Sequence, residues 1–477
     1  MNRRLLPTML PLALGLLLRL FFIHHDPDLS GDPLIYGSIA RNLLLHGVYG
    51  FQPDLSPTLI RLPGYPLFLA GCFKLFGIPT SGVAQYHPVL YLQALIDLGT
   101  CLLLSRLAAR LAPARSAQKA AAWTLWLSAL CPFTACYTAA PLTETLELFS
   151  IAAAFYCFAR TLALAPDANG PGVPDLSAKW FSLCTVAFIY AAMLRPDGAL
   201  LGVVLIPALI FYAPRLQRRR AVRFTAFAAL GVMLAFGPWT IRNWRSFHVF
   251  EPLAPRYATD PGEPIHPGFQ RWTKTVCADL TCTAEVYWAA DDVTITPDQL
   301  PSRAFDSPAQ YRATADLLAD YNRTTTITPA LDARFAALAD QRYAAHPVRF
   351  YLGMPLLRLA DMWLRPRVEL FNIDLRWWRY GPEGPDTIYA WAFAILNALY
   401  LALAIAGGFR GPPLLAVFLA FVALRCALLL TIEAPEPRYT LECFPVILVL
   451  GGVALAQRQR LTSSALTASL QDLSLSR

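Results

Sequence analysis

The sequence predicts an all-α polytopic membrane protein: about ten transmembrane helices, external interfacial helices and a small extracytoplasmic insert. Three observations predict it. The 477 residues are 56% hydrophobic and only 15% charged, and mean hydropathy is +0.43; a soluble domain is nearer one quarter charged. Apolar runs long enough to cross a bilayer recur along the chain. The basic residues sit in short clusters between those runs, as topology signals do. A sequence pI near 9.0 therefore does not indicate nucleic acid, which would need basic residues along a groove with interleaved aromatics.

The spans are expected at 5–23, 87–108, 119–137, 143–163, 178–194, 197–213, 222–241, 387–406, 411–432 and 439–457. The first lies in MNRRLLPTMLPLALGLLLRLFFIHHD. Its apolar run is longer than that of a signal peptide and no small-residue cleavage site follows, so it reads as a retained span with Arg3 and Arg4 inside. Arg106, Arg110, Arg115 and Lys119, then Arg160 and Lys179, then PRLQRRRAVR at 214–223, Arg410 and QRQR at 457–460 all fall on one side if both termini are cytoplasmic. The parity excludes LPGYPLFLAGCFKLFG, 62–77, as a span: a crossing there would turn every later basic loop outward. It reads as an interfacial or re-entrant helix. Segment 348–366, with Arg349, Arg358 and Asp361, reads as a second interfacial helix.

Three regions follow: an N-terminal membrane bundle, 1–244, with a first external loop at 24–86; an extracytoplasmic segment, 245–386; and C-terminal spans with a cytoplasmic tail, 387–477. In the middle region DSPAQYRATADLLADYNR and TPALDARFAALADQRYAAH read as helices, each opened by a cap residue and then proline. Cys277 and Cys282 are the two cysteines in this polar stretch, and an exported setting makes them a disulfide candidate. The other eight lie in apolar runs, as small hydrophobes.

The chemistry gathers at the outer ends of spans. Asp32 precedes Pro33 and a helical pattern with Tyr36, Ile39, Ala40 and Leu43 on one face. It reads equally as an N-cap with proline at N1 or as a carboxylate presented at the rim. Asp26 and Asp28 fit a solvated loop. Arg61, Arg195, Arg242 and Arg438, with Glu144, also stand at outer helix ends, each beside proline, an aromatic or irregular backbone. Snorkelling accounts for an isolated cation there. Four against the positive-inside trend point to a cavity holding a lipid phosphate, whose oxygens match guanidinium forks. Asp97, mid-span, reads as making a helix–helix hydrogen bond together with Gln93 one turn away, or as a proton relay with Arg425 as its partner. His24 and His25 lack a third ligand at helical spacing, so no metal site is expected. There is no Walker motif, paired-glycine nucleotide loop or Gly-x-Ser-x-Gly, and no nucleotide-driven chemistry or cofactor is expected.

Several of these stretches carry a resemblance. DPLIY at 32–36, ARNLLLHGVYGF at 40–51, RLPGYPLFLA at 61–70, LTETL at 142–146, LRP at 194–196, PWTIRN at 238–243 and EPRY at 436–439 occur in order. The chain resembles the GT-C superfamily of lipid-linked-sugar glycosyltransferases, in the branch of bacterial aminoarabinose transferases and protein O-mannosyltransferases. The likeness covers 26–245 and 430–457; residues 245–430 lie outside it, and acceptor choice is expected there. Where many relatives have a second acid after the first-loop Asp, this chain has Pro33. The resemblance implies a metal-independent transfer at the extracytoplasmic face of a bacterial inner membrane. The donor would be a polyprenyl-phosphate sugar, and the acceptor a protein, lipid or glycan hydroxyl. Asp32 would be the base, with Glu144 beside it. Arg61, Arg195, Arg242 and Arg438 would hold the phosphate, and Tyr36, Tyr65 and Tyr439 would join the substrate-binding set. One in-line displacement implies inversion. The alternative is a transporter or flippase of an anionic or lipid-linked substrate, in which Asp97 and Arg425 carry ions.

Overall fold

The computed structural model describes residues 6–80, 82–162, 177–212, 218–371, 373–378 and 384–457. Arg3, Arg4 and the parts of the basic runs at 214–217 and 458–460 lie outside the described residues. The described chain is helical, with no strand among those residues. It forms two compact units, one of 1–261, 399–422 and 441–477, the other of 262–398 and 423–440. In this division 423–440 groups with the middle region.

The first unit opens with α1, Leu6–His25, and α2, Asp32–His46. Gly31, at φ 63°, caps α2, so Asp32 is the first helical residue and not the N-cap that one sequence reading allowed. At the other end Gly47, φ 70°, turns the chain out through a left-handed cap. α3, Gly64–Phe76, has 13 residues. At 1.5 Å per residue it is about 20 Å long, too short for a hydrocarbon core of about 30 Å. A Cβ on Gly64 would lie 2.6 Å from the Met193 carbonyl oxygen, so only glycine admits this close approach. The unit continues with α4, His87–Leu111, α5, Ala114–Ala129, α6, Glu144–Thr161, α7, Ser177–Leu194, α8, Leu200–Phe211, and α9, Arg218–Phe247.

Inside it, Arg19 of α1 donates to the Asp97 carboxylate of α4 through Nε, at 2.8 Å, and through Nη2, at 2.5 Å; Nη1 reaches the Ala129 carbonyl of α5 at 2.8 Å. Asp97 thus makes a helix–helix hydrogen bond, as expected, and its partner is Arg19 of α1. Gln93 accepts from the Tyr65 hydroxyl at 2.6 Å and donates to the Ala140 carbonyl at 2.9 Å. Arg110 and Arg160 both approach Tyr156, and Arg160 lies 4.1 Å over the Trp180 ring. The ends of α4 and α6 and the start of α7 thus share one end of the bundle, that of the basic loops.

The second unit holds α10, Pro267–Val276, α11, Pro308–Tyr321, α12, Pro329–Ala345, and α13, Met354–Leu364. Ser307 and Thr328 cap α11 and α12 through side-chain oxygens, with proline next, as the sequence predicts. Its core is built on Trp272, Phe335, Val286 and Leu318. Cys277 and Cys282 are joined by a disulfide with Cα atoms 5.2 Å apart. α14, Gly384–Gly408, α15, Leu415–Leu429, and α16, Pro437–Gln457, complete the chain.

Six helices among the described residues are long and apolar enough to cross a membrane: α1, α4, α7, α9, α14 and α16. The other four expected spans also form helices, but α5, α8 and α15 are shorter and α6 carries Glu144, Glu147 and Arg160. The chain is a polytopic membrane protein.

Candidate active site

At the end of the first unit opposite the basic loops, Arg61 Nη2 donates to Asp32 Oδ1 at 2.6 Å. Both side chains are partly open to solvent, Asp32 at 27% and Arg61 at 19%. The geometry follows from local sequence. Gly31 turns the chain, Pro33 starts the helix, and Asp32 is left on the first turn, where a carboxylate is also favoured by the helix dipole. One turn on, Tyr36 packs its ring edge-on against Tyr65, centroids 5.1 Å apart, and the Arg61 guanidinium lies 5.8 Å from the Tyr36 ring centre.

Arg61 is placed by the loop it belongs to. Its carbonyl accepts from the Tyr49 hydroxyl at 3.0 Å. Arg242 of α9 then clasps that loop, donating to the Thr58 carbonyl at 2.7 Å and the Tyr49 carbonyl at 3.0 Å. Its guanidinium also faces the rings of Tyr49, Trp239 and Phe247. Arg242, expected to face the donor phosphate, here directs its guanidinium to two backbone carbonyls of the Arg61 loop.

Arg195, between α7 and the short turn Pro196–Ala199, meets a different set. Its guanidinium nitrogens lie 3.4 Å from Glu144, Glu147 and Asp197 and 3.7 Å from Glu442. Burial acts to lower its pKa, but Asp197, Glu442, Glu147 and Glu144 outweigh this and hold it well above the ordinary value. Sequence reasoning found Glu144 and missed Glu147, Asp197 and Glu442. Glu147 carried a usable signal: it lies one turn after Glu144 inside an apolar helix.

Both charged groups act electrostatically on the Tyr36 phenol. Burial pushes the Tyr36 hydroxyl up to about 12; Arg61 and Arg195 act against that rise, Asp32 and Glu144 with it. Arg438 and Tyr439 belong to the second unit. There Arg438 Nε lies 2.6 Å from Glu436, the Tyr439 hydroxyl also donates to Glu436, and Arg438 faces the Tyr439 ring at 5.6 Å. His24 contacts the Tyr91 hydroxyl at 3.2 Å and His25 the Phe21 carbonyl at 2.9 Å. Among the described residues no three His, Cys, Asp or Glu side chains are grouped to hold a metal ion.

The fold is similar to that of an archaeal oligosaccharyltransferase. No family model matches the chain, and no curated protein matches it; the likeness is to solved structures. Archaeal oligosaccharyltransferase AglB from Archaeoglobus fulgidus, in complex with an inhibitory peptide and a dolichol-phosphate, is similar at 11% identity with a TM-score of 0.51, over 97% of this chain and 52% of that one. The Archaeoglobus fulgidus oligosaccharyltransferase tethered with an acceptor peptide is similar at 13% identity and TM-score 0.50, over 95% and 50%. ArnT from Cupriavidus metallidurans bound to undecaprenyl phosphate gives 15% identity and TM-score 0.39, over 94% and 76%. The chain thus spans about half the length of the oligosaccharyltransferases it resembles.

Proposed function

We propose that this chain is a membrane glycosyltransferase that moves a sugar from a polyprenyl-phosphate donor to an acceptor hydroxyl on the extracytoplasmic side, with inversion. The observation that carries it is the Asp32–Arg61 pair, half-open at one end of a helical bundle whose fold is similar to that of an archaeal oligosaccharyltransferase. Asp32 takes the acceptor proton as that oxygen attacks the anomeric carbon. The bond from that carbon to the lipid phosphate breaks, and the phosphate leaves with the electron pair. Arg61 meets the charge developing on the leaving phosphate; a guanidinium fork serves a carboxylate and a phosphate oxygen at once. Arg195 is better suited to organising than to phosphate binding, since an approaching phosphate would meet the field of four carboxylates. Arg242 keeps the Arg61 loop in place. The transporter alternative would have Asp97 and Arg425 carry ions; the buried pairing of Asp97 with Arg19 favours the enzyme reading over it.

The test feeds labelled polyprenyl-phosphate sugars to membranes holding the wild type or Asp32→Asn. Label leaves the lipid with the wild type. The variant inserts normally and transfers about 10²–10⁴-fold more slowly, the usual worth of a general base. Equal turnover would overturn the assignment of Asp32; vesicle uptake without a covalent product would overturn the enzyme.

A further inference from the structure

One helix of the second unit is inside-out. The stretch Arg349–Gly353 runs straight into α13. Its buried row is Phe350, Met354, Arg358 and Met362, at four-residue spacing. Its outward row, at the same spacing, is Val348, Leu352, Leu356, Ala360 and Leu364. Val348 is 73% exposed and Leu364 63%. Of its two arginines, Arg349 is 38% exposed and pairs with Asp306 at the start of the stretch, while mid-helix Arg358 points inward and donates to the carbonyls of Lys274 at 2.8 Å and Cys277 at 3.3 Å. The preceding helix of the same unit also buries one arginine, Arg342, but its outward face is charged, with Arg334 and Asp340 at 48% and 56% exposure. The unit can therefore make a water-facing helix, and at 349–364 it does not.

Two further observations say what covers this face. The end of α13 is fastened to a span: Asn397 of α14 donates to the Trp363 carbonyl at 2.7 Å, and Arg367 donates back to Asn397 at 3.3 Å. Trp391 of α14 stands 4.9 Å from Trp377, and Trp378 and Tyr389 are exposed close by in sequence. Tryptophan and tyrosine gather at the level of the headgroups. Asn397 lies six residues past Trp391, about 9 Å further along the helix axis. That matches the depth of about 5–10 Å at which an interfacial helix buries its apolar face.

We propose that Arg349–Leu364 is embedded in the bilayer, with the row Val348–Leu352–Leu356–Ala360–Leu364 against lipid acyl chains and its C-terminal end the deeper. The occupant of the face is the membrane itself, continuous with the lipid-facing side of α14, where Ile388 and Ile395 are also exposed. The proposal does not rest on the transfer reaction.

The test uses the full chain in phosphatidylcholine–phosphatidylglycerol nanodiscs, with the half-buried Cys426 changed to Ser. Cysteine is introduced at Leu352, Leu356, Leu364 or, as a reference, Arg334, and spin-labelled. The three test sites should collide more often with oxygen than with a water-soluble nickel chelate, increasingly so toward Leu364, and Arg334 should show the reverse. Nickel access at Leu352 and Leu356 equal to that at Arg334 would overturn the proposal. So would labels shielded from both reagents, the mark of a second protein chain on this face.

Discussion

Asp32 lies one residue inside its helix instead of capping it, and that offset frees its carboxylate for Arg61. An N-cap side chain would be spent on backbone N–H groups of its own first turn. Here Gly31 makes the turn and Arg61, 29 residues on, takes the carboxylate. If Arg61 also meets the donor phosphate, its loss should show in donor affinity as well as rate. Arg61→Ala is expected to lower transfer by about 10–100-fold, from the 1.5–3 kcal/mol typical of a charged hydrogen bond, with a raised KM for the donor lipid. Arg61→Lys should recover part of the rate, since it keeps the charge and loses the fork. Steady-state kinetics with a labelled donor separates the two, and an unchanged KM in Arg61→Ala would place Arg61 off the phosphate. The residues of this loop were readable because they follow one another closely. Glu442 was not: it approaches Arg195 across 247 positions, and no pattern within the sequence couples them.

At the scale of helices, local chemistry was legible and long-range pairing was not. The Ser-Pro and Thr-Pro starts of α11 and α12 are set by their own first turns. The helix α3 was legible from its apolar run between proline and glycine, and charge parity makes it an expected non-span. The partner of Asp97 did not, because Arg19 sits in an apolar run, 78 residues earlier, where nothing local points to α4. The pair joins α1 to α4 and, through the Ala129 carbonyl, to α5. Removing one member of a buried pair leaves an uncompensated charge, typically costing about 3–5 kcal/mol, whereas replacing both with apolar groups of similar volume is often near neutral. Arg19→Met alone and Asp97→Leu alone should each lower the thermal midpoint of the detergent-solubilised protein clearly, and Arg19→Met with Asp97→Leu should lie closer to wild type than either. A double variant as unstable as the sum of the singles would show that the two residues act separately.

For the whole molecule, the question is which end of the first unit faces which compartment. Arg110, Arg160 and Trp180 meet at one end; Asp32, Arg61, Glu144 and Arg195 stand at the starts or ends of helices opposite. Positive-inside bias predicts the first group in the cytoplasm and the second outside. The weight falls on α3. If it does not cross, α1 carries the chain out and α4 brings it back, so the loop at Gln52 and the turn at Arg115 lie on opposite faces. If α3 did cross, those two positions would share a face and the basic loops after it would be external. Both side chains are exposed, and the free cysteines are buried except Cys426, which is half-buried. In a Cys426→Ser background, an impermeant maleimide should label cysteine at Gln52 in right-side-out vesicles. Cysteine at Arg115 should react only after permeabilisation. Reaction of both from outside would make α3 a span despite its 13 residues. It would also break the link between the cytoplasmic basic loops and an extracytoplasmic Asp32.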